Sequence, residues 1–403
     1  MLLNMKRIYE SLFRTHLDEN RQMAFVCGPR QVGKTTSAKA LMSEACYRNW
    51  DDTDTKRTIL KGTAALATDL GLDRITETPP VIVLDEFHKF ANWKSFLKGF
   101  FDVYAEKCRI IVTGSAMLNT YRRGGDSLMG RYFVYNMHPL SVGELSNTRP
   151  ADGEIQLPSG SAKDSVAALL DFGGFPEPFI KQNKRFWNRW NDARMEQLIR
   201  EDVRDLAKVN EISLMQSLAI MIAGQCGQEL NYSRLAVALG ISVDTVIRWV
   251  RILESMYYCF TVRPWYRNVS KSLRKQPKVF LWDWSGLADA GARNENFVAC
   301  HLLKSVNFWA DSGLGKYELR YLRDKTGREV DFVVIRNGEP WFLVEVKSSV
   351  KREMNPNLAY FQNATKAKNA FQVCFDMDYV ERDCFEESAP VKVPISTLMS
   401  QLV

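Results

Sequence analysis

An apolar run, MAFVC (Met23–Cys27), leads directly into GPRQVGKT (Gly28–Thr35), and this junction constrains the fold more than any other stretch of the chain. GxxxxGK[ST] between a strand and a helix is a phosphate-binding loop. Its backbone N–H groups and the helix N-terminus cradle phosphates, while a lysine and a hydroxyl stand at fixed places. Lys34 is placed to reach the β- and γ-phosphates and Thr35 to ligate Mg²⁺. Loops of this kind lie at the carboxyl ends of strands in parallel α/β sheets, so the first part of the chain is expected to be one. Gly28, Pro29, Arg30, Gln31, Val32, Gly33, Lys34, Thr35 and Thr36 are the expected nucleotide contacts, with ATP and Mg²⁺ as ligands.

A second apolar strand strengthens that reading. Pro79 and Pro80 precede VIVLDEF, a run of the kind buried on both faces of a parallel sheet, and it ends in Asp85 and Glu86. Asp85, 51 residues after Lys34, is expected to hold the Mg²⁺ through its water shell, and Glu86 to polarise the attacking water. A third strand, RIIVTGSA, ends in Thr113 and Ser115. A polar side chain there could sense the γ-phosphate or its water.

The chain continues far beyond this nucleotide domain. Its 403 residues predict two or three domains, and 46% hydrophobic with 25% charged residues fits a globular protein. A net charge of +7 and a pI near 8.9 are compatible with a polyanionic partner without requiring one. The eight cysteines are scattered through apolar runs with no CxxC pair, which predicts reduced core thiols. MLLNMKRIYESLF lacks the apolar core of a signal peptide and no run is long enough to span a bilayer, so a cytoplasmic protein without a membrane partner is expected.

GPRQVGKTT, LDEFHK, TGSA, GRYFVYNMHPLSVGEL, GGFPEP, EVDFVV and EVKSS together resemble a family of prokaryotic AAA-type ATPases that carry a C-terminal region of unknown function. The resemblance implies an oligomer, with a hexameric ring as one form, in which each subunit lends an arginine to its neighbour's nucleotide. Arg131 of GRYF fits that role, with Arg122 and Arg123 as competitors. It also implies a helical lid in which Pro176 of GGFPEP (Gly173–Pro178) packs on adenine. The polar stretch Ser146–Asp164 reads as a linker or mobile loop between core and lid. The charges of FWNRWNDARMEQLIREDVRDL read as a mostly solvated helical face.

Further on, Asn231 and Ser242 are placed to start two short helices separated by Gly240, the layout of a helix-turn-helix. Val243, Val246, Val250 and Leu253 share the expected inner face. Thr245, Arg248 and Arg251 are left outward, toward DNA or a protein partner. YRNVSKSLRKQPKVFLWDW then reads as a β-ribbon wing. Between Arg263 and Lys278 the chain carries six basic residues, Arg267, Lys271, Arg274 and Lys275 among them, beside Trp265 and Tyr266. Such a ribbon suits phosphate contact and base stacking, or else forms a solvated tip.

The last segment holds NENFVACHLL with Glu295, EVDFVVIR with Asp331, and WFLVEVKSS with Glu345 and Lys347 on one strand face. Glu295, Asp331 and Glu-x-Lys resemble the pattern of the PD-(D/E)XK nucleases. That resemblance implies Mg²⁺ on Asp331 and Glu345, with Lys347 assisting water. The division expected is an ATPase core at 1–145, linker and lid at 146–209, a winged-helix-like domain at 210–285 and a restriction-endonuclease-like α/β domain at 286–403. The function expected is an ATP-hydrolysing, DNA-binding protein that remodels or processes nucleic acid, branched DNA included. The alternative is a nucleotide-gated switch with a non-catalytic terminal module.

Overall fold

The computed structural model describes residues 5–42, 46–114, 128–146, 153–160, 162–198, 211–266 and 276–403. They form two compact units, Met1–His138 and Pro139–Val403. Ser115, Arg122, Arg123, Arg267, Lys271, Arg274 and Lys275 lie outside the described residues.

The first unit is built on five parallel strands: β1 (Met23–Cys27), β2 (Tyr47–Asn49), β3 (Val81–Asp85), β4 (Arg109–Gly114) and β5 (Tyr132–Asn136). Their order is β2-β3-β4-β1-β5. β1 is fully buried, as an unbroken apolar run must be when helices cover both sheet faces. It lies between β4 and β5, where connections leave in opposite directions and parallel sheets open a crevice at the strand ends. Phe25, Phe87, Trp93, Leu97 and Phe100 anchor the core on one face. Each such side chain contributes about 1.5–3 kcal/mol on burial.

In the second unit helices come first, from Val142–Ser146 through Val243–Ser255. The Asn231 and Ser242 caps are both present: each side chain accepts a backbone N–H three residues on and opens the helices Tyr232–Leu239 and Val243–Ser255. Gly240 closes the first of them in the left-handed region. One inner-face assignment is wrong. Val243 is 39% exposed, and Trp249 fills the buried stripe with Val246, Val250 and Leu253, because a residue in the first turn lies beyond the neighbouring packing. Arg248 and Arg251 point outward, as expected.

The ribbon strands β6 (Cys259–Pro264) and β7 (Lys278–Leu281) are antiparallel, and they continue into the terminal sheet. With β8 (Tyr317–Arg323), β9 (Glu329–Arg336), β10 (Glu339–Lys347), β11 (Asn369–Cys374) and β12 (Val391–Pro394) the order is β12-β11-β10-β9-β8-β6-β7. One sheet therefore crosses the division expected at residue 285. The backbone N–H of Trp265 donates to Tyr321 O at 2.8 Å, and its half-buried ring packs on the sheet core. Tyr266 donates to Arg323 O at 3.3 Å.

The stretch expected as a linker is also tied down where it is described. Gln156 N donates to Gln401 O at 2.8 Å, Ser159 N to Ser400 Oγ at 3.2 Å, and Glu154 accepts Tyr317 Oη at 2.6 Å. The next helix begins inside the expected stretch, at Ala162. On the helix Lys184–Gln197 the solvated face has an exception. The Arg194 side chain is largely covered, 3.9 Å over the Phe175 ring and 3.3 Å from Asp283. Such a stacked, paired guanidinium is a packing element. Pro176 occupies the first turn of the helix Pro176–Lys181, where its missing N–H costs nothing. In the HPLSVGEL stretch, Glu144 pairs with Lys304, both fully enclosed.

Candidate active site

At the end of β1 the loop closes tightly. Gly28 has φ +154°, and a Cβ there would lie 2.3 Å from Met137 O, so no other residue fits. Gly33, at φ +103°, turns the chain into the helix Lys34–Lys39 and aims its first N–H groups at the loop centre. Lys34 donates to Gly28 O at 2.9 Å and Pro29 O at 2.7 Å. Burial lowers its pKa to about 8, against the nearby Glu86 and Asp85 charges.

Asp85, at the tip of β3, collects hydroxyls from three elements. Oδ2 accepts Thr35 Oγ1 at 2.9 Å and Tyr47 Oη at 2.6 Å, and Oδ1 accepts Thr113 Oγ1. A carboxylate 4% exposed, with a neutral hydroxyl from the loop beside it, fits a divalent cation. Thr35 and Asp85 would hold Mg²⁺. Glu86 follows in a left-handed conformation (φ +53°), unusual for a non-glycine residue, which turns its side chain away from the line of β3. Lys89 Nζ stands 3.3 Å and His88 Nε2 3.8 Å from its carboxylate.

Three contributors escaped sequence reasoning. Tyr47 lies in the edge strand β2, two residues before the register partner of Asp85, and no local pattern marks it. Asp85 and burial raise its phenol above the ordinary range, burial acting most strongly. Lys89 stood in LDEFHK without an assigned part. Arg7, in MKRIYESLF, is only 4% exposed and donates to Val32 O and, at 2.7 Å, to His138 O. It braces the phosphate loop from beneath. A basic residue just before an apolar helix was its only trace.

Arg131 lies at the other end of this sheet. Its carbonyl accepts Met23 N at 2.9 Å, at the start of β1, roughly 13 Å along the strand from the loop. Asp102 holds its guanidinium at 2.7 and 3.1 Å. It cannot reach the phosphates of its own subunit.

In the second unit the nuclease-like residues do converge, around an ammonium. Lys278, counted among the basic ribbon residues in the sequence, is 4% exposed and faces inward. Its Nζ lies 2.6 Å from Glu329, 3.1 Å from Glu295 and 3.8 Å from Asp331. Burial opposes its charge, but Glu295, Asp331 and Glu329 outweigh that and hold its pKa above the ordinary value. Burial, with Glu295 and Glu345 nearby, holds the Asp331 carboxyl well above its ordinary range. Asp331 Oδ2 accepts Val346 N at 2.8 Å. Glu345 Oε1 accepts Lys347 at 2.6 Å and Asn355 Nδ2 at 2.7 Å. Among the described residues no three His, Cys, Asp or Glu side chains are grouped to hold a metal ion. The Mg²⁺ expected on Asp331 and Glu345 does not fit this arrangement.

Residues 20–146 match the family model described as an AAA domain. The first unit is thus of the AAA type of P-loop nucleotide-binding domain. Residues 163–296 and 290–392 match two domains of unknown function (DUF8612 and DUF4143). An uncharacterized protein of Mycobacterium tuberculosis is 23% identical over 363 residues, covering 86% of this chain and 75% of that protein. One from Methanocaldococcus jannaschii is 22% identical over 375 residues, covering 82% and 76%. Among solved structures, AMPPCP-bound DnaA from Aquifex aeolicus is similar at a TM-score of 0.32 and 14% identity, covering 60% of this chain and 86% of that one. No described helix is long and apolar enough to cross a membrane.

Proposed function

We propose that this protein is an oligomeric ATPase whose turnover is coupled to binding and remodelling DNA. The observation that carries the reading is the convergence on Asp85 of Thr35 from the phosphate loop and Thr113 from β4, with Lys34 and Glu86 alongside. Lys34 leaves the Gly28 and Pro29 carbonyls for the β- and γ-phosphates. Thr35 and Asp85 would hold Mg²⁺, which would supply Lewis-acid stabilisation of charge on the transferring phosphoryl group. Glu86, released from Lys89, orients and polarises the attacking water. The neighbouring subunit's Arg131, released from Asp102, reaches the γ-phosphate, and Pro176 packs on adenine. The helix pair at 232–255 with the β6–β7 ribbon acts as a winged-helix-like module. Its exposed Arg248 and Arg251, together with Arg267, Lys271, Arg274 and Lys275, meet phosphates.

A second reading, a nucleotide-gated switch with a non-catalytic terminal module, is favoured by the lysine enclosed in the terminal acid cluster. ATP turnover with no DNA, duplex, single strand and a four-way junction, alongside sedimentation with and without ATP, separates the two. Stimulation by DNA and ATP-dependent assembly are expected. Turnover indifferent to every DNA would leave the switch.

A further inference from the structure

Four elements of the second unit meet around the buried Lys278 and Glu345, with the other members of the cluster half-buried. β7 brings Lys278, the helix Ala290–Asp311 brings Glu295, β9 brings Glu329 and Asp331, and β10 brings Glu345 and Lys347. In a two-carboxylate cation site each acid must offer an oxygen to the ion. Asp331 instead gives Oδ2 to the Val346 N–H, and its Oδ1 faces Lys278 Nζ at 3.8 Å. Glu295 and Glu329 turn their Oε1 atoms to the same ammonium. Of the carboxylate oxygens in this described cluster, Glu345 Oε2 alone is buried without a hydrogen-bond partner. A divalent cation brought to that oxygen and to Asp331 would sit beside a fixed like charge in a half-buried cluster, where repulsion is screened less than in bulk water.

We propose that the Lys278 ammonium stands in the place a divalent cation would take, making the terminal sheet a metal-independent module. The lysine arrives on the ribbon strand, so the joining of β6 and β7 to the sheet supplies the positive charge that the acids need. Lys347 compensates Glu345 from the other side. The acids organise a fold around an internal cation and hold no hydrolytic metal.

This inference rests on the nuclease-like reading of the terminal sheet, and the two fail differently. Mn²⁺ titration of the full-length protein without nucleotide, followed by electron paramagnetic resonance, tests it. Wild type and Asp331→Asn should bind the same number of ions. Lys278→Met, which keeps the length and removes the charge, should gain one Mn²⁺ that the Lys278→Met/Asp331→Asn double variant loses. Its lowered Tm should be partly restored by Mn²⁺. A folded Lys278→Met protein that gains no ion overturns the proposal. So does a wild-type ion, or Mn²⁺-dependent DNA nicking, that Asp331→Asn removes; either would strengthen the nuclease reading. The wild-type comparison decides even where Lys278→Met fails to fold.

Discussion

Asp85, buried, and Asp331, half-buried, both end up near a lysine at the edge of a sheet core, yet their surroundings prepare them for opposite work. Asp85 is surrounded by neutral hydroxyls, those of Thr35, Tyr47 and Thr113, which stabilise its charge without cancelling it. Its nearby cation, Lys34, is held by carbonyls that a phosphate can replace. Asp331 faces Lys278, an ammonium already engaged by Glu295 and Glu329. The first site leaves its counter-charge to be supplied by Mg²⁺, nucleotide and a neighbour. The second has it built in. Acid-acid-lysine spacing in a sequence therefore signals a charged cluster, and the origin of the compensating charge decides whether that cluster takes a ligand.

The largest expected effect tests whether the first site's missing charge comes partly from another subunit. Arg131→Ala should lower ATP turnover by about 10³-fold or more, the usual contribution of a trans-acting arginine. Mixing it with Lys34→Ala protein should restore part of the rate, because composite sites then pair an intact loop with an intact arginine. Sedimentation at the assay concentration accompanies the rates. Monomers that hydrolyse ATP as fast as the assembled form would break the comparison at this point.

Next comes Glu86→Gln, which should keep ATP binding and cost about 10²–10⁴-fold in turnover, as loss of a positioned base does. Asp331→Asn in the same assay should match wild type. Equal turnover for Glu86→Gln and wild type would mean that the water-polarising acid lies elsewhere. A smaller change is expected on the ribbon. Neutralising Arg267, Lys271, Arg274 and Lys275 together should weaken all DNA sequences alike and flatten the salt dependence by about 3–4 log units of slope. An unchanged slope would show that these side chains never meet phosphate.

Much of the first site was legible because its chemistry is local. The strand, the loop glycines and Lys34–Thr35 are consecutive, and Asp85–Glu86 terminate an unmistakably buried strand. Tyr47 and Arg7 were not legible, since each acts through a contact between elements distant in sequence. The terminal sheet shows the opposite failure. Glu295, Asp331, Glu345 and Lys347 were picked out and do converge, but Lys278 was read from charge composition as part of a basic ribbon suited to phosphate contact. A lysine followed by Val279 and Phe280 at the start of a strand faces whichever side the register selects, and here the pairing of β6 with β7 turns it inward. The Val243 assignment failed for a similar reason: helical period gives a face but not where packing against it begins.

The smallest expected effect is a pH dependence that separates the two lysines. Lys34 in the nucleotide-free loop has a pKa of about 8, lowered chiefly by burial. ATP needs it charged, so below pH 8 it binds a lysine already protonated, while above pH 8 binding must take up a proton. Affinity should therefore fall as pH rises past 8, by at most about tenfold per unit. The nucleotide-free protein responds with the opposite sign. Above pH 8 the unfolded chain holds a proton on this lysine that the folded chain has released, so stability gains from this group as pH rises toward the ordinary lysine value. Lys278, held above its ordinary value by carboxylates, contributes stability across that window and loses it only at higher pH. Nucleotide titrations from pH 7 to 9.5, with Lys34→Arg as the control that stays charged, read out the difference. A decline that persists unchanged in Lys34→Arg would assign the titration to another group and remove the distinction between a lysine waiting for phosphate and one already satisfied.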